Sequence, residues 1–239
     1  MINTVCFLAI TAALTLDGNA AARPRPDACR QTTDSASRAC RNAATADFWL
    51  ASGKCANVAQ RNARQAVCRR LGGAPYEPDI QPADFVAGVD NPYFPLAPGT
   101  TFVYEGQTSD GLERDTFAVT HTSRMIAGVA CLEVRDTVTR DGELIEDTLD
   151  WFAQDREGNV WYFGENAKQL AGGLVIGVEG SWTAGIDGAR PGIAMRARPG
   201  VGDFYRQEFS LGTAEDIGAV LELDPGTGER LELISIATD

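Results

Sequence analysis

One histidine, His121, stands in the whole chain, and that scarcity removes several chemistries at once. A His-rich metal centre is excluded by count. A Ser-His-Asp triad lacks its presented nucleophile, because Gly-x-Ser-x-Gly is absent and Gly180-Ser181-Trp182 does not replace it. The six cysteines include no pair two to four residues apart, the spacing a zinc site uses. Glycine-rich pieces such as 171–174 lack the lysine and the strand–loop–helix setting of a phosphate cradle. The turn at Asp155–Asn159 lacks the spacing of a calcium loop. No metal and no cofactor is therefore expected. No apolar run reaches the roughly 20 residues of a spanning helix. Basic residues are not interleaved with aromatics, which argues against nucleic acid.

What is present begins with an address. Val5 to Leu16 is a short apolar run, and Ala20-Ala21-Ala22 supplies small residues for cleavage. Residues 1–22 thus read as a signal peptide, although Met1 to Thr4 carry no basic residue. The expected location is periplasmic or extracellular. Export makes disulfides available to Cys29, Cys40, Cys55 and Cys68, which fall within residues 23–71. Three connectivities are open. An antiparallel helical hairpin turning near Asp47-Phe48 favours Cys29–Cys68 with Cys40–Cys55. Such a hairpin has mostly alanine to bury, so staples would add what its core cannot. Cys131, left over, reads as a small buried hydrophobe in a strand.

The net charge of −12 conceals a division. Residues 23–71 hold ten Arg/Lys and three Asp/Glu; residues 72–239 hold eleven and 29. The basic hairpin either meets an anionic membrane or cell-wall surface, or it packs against its own acidic partner domain or is simply solvated. Residues 72–99 carry prolines at 75, 78, 82, 92, 95 and 98 and four aromatics, a connector expected to lie along the next domain.

From Thr100 onward the helical period disappears. Ten β-favouring runs alternate with Gly, Asp and Asn turns, among them Asp141-Gly142 and Glu157-Gly158-Asn159. Residues 100–239 are accordingly expected to form a mainly β, antiparallel meander, either a barrel (lipocalin-like by fold analogy) or a sandwich. A single turn of propeller type, without a repeat, does not make a propeller.

Charges share strand faces with apolar residues. In Ala130–Arg140 one face carries Leu132, Val134, Asp136 and Val138; in Glu143–Gln154 one carries Leu144, Glu146, Thr148, Asp150 and Phe152. Strict alternation groups Trp161, Phe163 and Glu165, and it groups Arg206 with Glu208. Mixed faces of this kind line ligand cavities, where apolar walls hold a few orienting polar groups. The candidate ligand-binding set is Asp136, Glu146, Asp150, Trp161, Glu165, Arg206 and Glu208, with Arg206 as counter-charge. The leading expectation is a β-barrel binding a small, partly apolar, cationic molecule. An isomerase, cyclase or hydrolase using acid–base carboxylates is the alternative, and an envelope module acting through the basic hairpin is the third. Oligomeric state is not set by the sequence.

Three segments are distinctive together: Asn91-Pro-Tyr-Phe-Pro-Leu-Ala-Pro-Gly99, Asp150 to Glu165, and Gly202-Asp-Phe-Tyr-Arg-Gln-Glu208. With them the chain resembles a group of exported bacterial proteins of uncharacterised function, which carry a cysteine-bearing helical segment ahead of a β domain. The resemblance implies export and this organisation, and supplies no catalytic residue.

Overall fold

The protein is described by a computed structural model over residues 37–42, 44–45, 58–72, 75–224 and 228–234. The signal segment, Cys29 and Cys55 lie outside these residues. The chain divides into two compact units, one holding the described residues up to Tyr76 and the other those from Glu77 on.

Among the described residues the first unit has two helices, α1 (described at 37–42 and 44–45) and α2 (Val58–Leu71). One disulfide joins Cys40 to Cys68, which corrects the expected pairs Cys29–Cys68 and Cys40–Cys55. The reason is register. Ser37 Oγ donates to the Cys68 carbonyl (3.0 Å), and Gln65 Nε2 donates to Thr45 Oγ1 (3.0 Å). Antiparallel helices in that register bring Cys40 level with Cys68, and the pairing centres on residue 54 rather than 48. Arg69 and Arg70 in the last turn of α2 suit the negative end of its dipole. A disulfide of this kind suggests a non-cytoplasmic environment, since thiols in the reducing cytoplasm stay unpaired. No helix among the described residues is long and apolar enough to cross a membrane.

The second unit is mainly β. Its strands are β1 (Phe85–Val86), β2 (Thr101–Thr108), β3 (Gly111–Ile126), β4 (Val129–Arg140), β5 (Glu143–Asp155), β6 (Val160–Asn166), β7 (Gln169–Ala171) and β8 (Leu174–Gly177). They continue as β9 (Trp182–Thr183), β10 (Arg190–Met195), β11 (Phe204–Arg206), β12 (Glu208–Phe209), β13 (Ile217–Asp224) and β14 (Gly228–Ile234). The main sheet is antiparallel, ordered β12-β10-β6-β5-β4-β3-β2, and curls into a half-barrel. A second, three-stranded sheet is ordered β11-β13-β14.

Successive hairpins make the meander because their turns fit its twist. Asp141 and Gly142 both have positive φ (48° and 84°), as do Ala127 and Gly128 (48° and 82°), the two-residue geometry that matches right-twisted strands. The Asp155–Asn159 turn is tied by its own side chains. Asp155 Oδ1 accepts the Asn159 N–H (2.9 Å), and Oδ2 accepts Asn159 Nδ2 and Trp161 Nε1 (each 2.8 Å). β7 and β8 form a hairpin, because Gly172 and Gly173 both turn through positive φ.

The segment preceding β2 is built onto this sheet. Asn91 is buried, and its Oδ1 accepts the N–H groups of Tyr93 (2.9 Å) and Phe94 (3.1 Å). Its Nδ2 donates to the carbonyls of Gly158 (2.8 Å) and Arg196 (3.1 Å). The Asn-Pro-Tyr-Phe sequence is therefore a pinned turn that aims Phe94 at the core. There Phe94, Phe117, Phe152, Tyr162 and Trp182 form a continuous aromatic row. Ring centroids along it lie 4.7–6.1 Å apart. Cys131 is a buried free thiol, and burial pushes its pKa up to about 12, which keeps it protonated and unreactive.

Candidate functional site: a carboxyl belt ending at a polar cavity

Cross-strand registers gather the acids. Asp136 faces Thr148, Val138 faces Glu146, and Val134 faces Asp150, so all six side chains share one face of β4–β5. Asp115 lies opposite Val138 on β3, and Glu165 opposite Asp150 on β6. Glu165 in turn faces Trp182 of β9, whose Nε1 donates to Glu208 of β12 (2.8 Å). Asp115, Asp136, Glu146, Asp150, Glu165 and Glu208 thus run as a belt across the sheet. Asp150 is 0% exposed, Asp136 1% and Glu165 3%.

None of these acids takes part in the described salt bridges. Alternation explains the contrast with their neighbours: Asp147, on the other face of β5, meets Arg135 at 2.8 Å, which holds its pKa down. Inside, burial disfavours charge, and the belt holds protons instead. Burial first, and then the neighbouring acids Asp115, Asp150 and Glu146, push Asp136 up to about 10. Burial lifts Glu146 to about 7, with Thr148 Oγ1 donating to it (3.0 Å) in opposition. Burial likewise lifts Asp150 to about 7 against the Tyr162 hydroxyl, which donates to its Oδ1 (2.5 Å). Glu165 and Glu208 are raised well above the carboxylate range, first by burial and then by neighbouring acids. Asp136 Oδ1 and Oδ2, Asp150 Oδ2 and Glu165 Oε2 are buried with no partner in the described hydrogen-bond network.

Five of the seven candidates from the sequence, Asp136, Glu146, Asp150, Glu165 and Glu208, therefore meet on one surface. Trp161 does not. Phe163 is an extra residue in β6, between the Trp151–Gly164 and Phe152–Tyr162 pairs, and this bulge reverses the alternation. Tyr162 joins Glu165 on the belt face, and Trp161 and Phe163 turn to Phe85 (6.4 and 5.4 Å). Arg206 is not the counter-charge. Gln207 interrupts the expected strand, its N–H bonded to Asp216 O and its Nε2 to Ala194 O (both 2.9 Å). Arg206 consequently belongs to β11 and lies over the Phe209 ring (4.6 Å), while Glu208 belongs to β12 in the main sheet.

The sequence reading missed Asp115, Tyr162, Trp182 and Arg124. Asp115 alternates with Phe117 and Val119 at the start of a β-favouring run, a signal of the same kind as the others, whereas Trp182 sat outside any run. His121 is exposed on β3, away from the belt.

Glu165, at the end of the belt, is also among the residues lining a cavity of about 380 Å³, together with Asn166, Trp182, Asp187 and, from the face of β5 opposite Asp150, Trp151 and Arg124. Arg124 is stacked 4.2 Å above the Trp151 ring. Gly180 makes room here, since a Cβ on it would come within 3.3 Å of Glu165 Oε1. Gly164 is equally constrained: its φ is +141°, and a Cβ would strike the Trp182 carbonyl. Gly164→Ala should displace β9, a wall of the cavity, and cost about 2–3 kcal/mol in urea denaturation. A loss below about 0.5 kcal/mol would show that β9 gives way freely. No group of three or more His, Cys, Asp or Glu among the described residues is arranged to hold a metal ion.

No family model, curated protein or solved structure matches the chain.

Proposed function

We propose that this is an exported small-molecule-binding protein whose ligand enters the cavity at the Glu165–Trp182 end of the belt. One observation carries the reading: a cavity of ligand size, about 380 Å³, is lined by two tryptophans, Trp151 and Trp182, with charged and hydrogen-bonding residues around them. The Trp151 and Trp182 surfaces favour a ligand with an apolar or ring-bearing part. The signal-like N-terminus and the resemblance of three segments to exported proteins support export.

Thermal-shift and native mass spectrometry against primary amines, amino acids, nucleosides and sugars provide the test. At least one class should raise the melting temperature and appear as a retained adduct. Ile186, exposed at the cavity, can be enlarged without entering the core. Ile186→Trp should weaken that adduct by about tenfold or more. A panel without a binder, or binding indifferent to Ile186→Trp, would remove the reading. The same incubations separate binding from acid–base catalysis. Asp150 and Glu146, near 7, hold protons suited to general acid–base work, and catalysis would convert the ligand into a product that chromatography separates from it, of altered mass for a hydrolase and of the same mass for an isomerase.

A further inference from the structure

Away from the cavity, the main sheet has an apolar edge. Where β6 stops, β7 continues along β5, with Gln169 facing Glu146, and among the described residues β8 pairs with β7 alone. Leu174, Val175, Ile176 and Val178 are each more than half exposed, at 55–71%. Leu174 faces Ala171 and Val175 faces Leu170, so exposed side chains stand on both faces of the ribbon. In a two-residue hairpin turn the closing pair, here Ala171 and Leu174, is the hydrogen-bonded one. The next pair directs its backbone groups outward, which puts the Val175 N–H and C=O on the open side. Edges are ordinarily blunted by charge or proline, and neither occurs from Gln169 to Val178. A bulge at Ile176 keeps the regular stretch short.

We propose that β8 pairs antiparallel with β8 of a second copy of this chain, about a two-fold axis, to make a dimer. Antiparallel edges related by a two-fold are self-complementary, so the same strand serves both partners and the contact closes at two. Charge selects the place. Residues 72–239 hold 29 acids against eleven basic residues, so two copies repel over most of this unit, whereas the stretch from Gln169 to Val178 is neutral. A lipid surface would suit the side chains but not the backbone, because an open strand edge leaves its N–H and C=O groups unpaired in hydrocarbon. A second strand satisfies both. With four residues in β8, the dimer is a weak one that forms as concentration rises.

Sedimentation velocity on the disulfide-bonded protein, from about 5 to 500 µM, tests the pairing. Monomer should convert to dimer across that range and to nothing larger. Val175→Pro removes the outward donor, and Val175→Lys places a charge on the edge. Each should weaken the dimer by about tenfold or more, and the melting temperature of dilute protein should not change, since Val175 is exposed. Raising salt from about 50 to 500 mM should strengthen the dimer, because the acids are screened and the contact itself is neutral. Protein that stays monomeric throughout, a dimer indifferent to both variants, open-ended growth, or a dimer that salt dissolves would overturn the proposal. So would monomeric protein that co-sediments with phosphatidylcholine vesicles and loses that binding in Val175→Lys, which would assign the edge to a lipid surface.

Discussion

Phe152→Ala should lower the free energy of unfolding by about 3–5 kcal/mol, the range for removing a fully buried phenylalanine. Phe152 is 0% exposed and joins both halves of the aromatic row. Its ring stacks on Tyr162 at 4.7 Å and meets Phe94 at 5.3 Å and Phe117 at 6.1 Å, in edge-on and tilted contacts. Those neighbours come from the pinned turn before β2, from β3 and from β6, so none can collapse into the space without moving its own element. Tyr162 would also lose the surface that holds its hydroxyl on Asp150. Urea denaturation followed by tryptophan fluorescence measures the effect, and a cost under about 2 kcal/mol would mean that the row repacks.

The second large effect is a stability that falls as pH rises through neutrality. In an unfolded chain the belt acids titrate near 4. In the folded chain Glu146 and Asp150 titrate at about 7 and Asp136 at about 10. Between those limits the native state holds more protons than the unfolded state, so stability decreases with pH. The belt's contribution is complete below pH 4, declines across pH 4–7 for Glu146 and Asp150, and continues to decline towards pH 10 for Asp136. Each fully differing group contributes a slope of about 1.4 kcal/mol per pH unit, and mutual coupling spreads the total over several units. The melting temperature should therefore be higher at pH 5 than at pH 8, opposite to ordinary acid denaturation. Asp136→Asn removes one titration and gives Asp115 an amide donor. It should stabilise the protein at pH 8 by about 1–3 kcal/mol and change little at pH 5. A melting temperature that is flat or rises from pH 5 to pH 8, or an Asn variant less stable than the parent at pH 8, would show that the belt is charged.

Much of this was legible residue by residue. The period-two placement of Asp136, Glu146 and Asp150 among Val134, Thr148 and Phe152 predicts a shared face, and the β4–β5 register joins them. The turn chemistry of Asp141-Gly142 and of Asp155–Asn159 predicts the hairpins. Illegible were the points where the period breaks. One extra residue at Phe163 exchanged Trp161 for Tyr162, and one interruption at Gln207 sent Arg206 and Glu208 to different sheets. Bulges and sheet switches are set by what packs on both sides of a strand, which a local pattern does not contain. The cysteines were misread for a related reason. Spacing along a helix constrains which face a residue occupies, but the level at which two helices meet depends on their contacts.

The amino-acid order by itself determined the mainly β, antiparallel class, the helical segment ahead of it and the burial of acids on apolar faces, because alternation and turn residues act over a few neighbours. Only the tertiary structure decided that six acids would form one belt without a described salt bridge, that Tyr162 and Trp182 would complete it, and that Glu165 at its end would also line a cavity. Those relations join residues up to about a hundred positions apart, and distance of that kind is closed by register and packing.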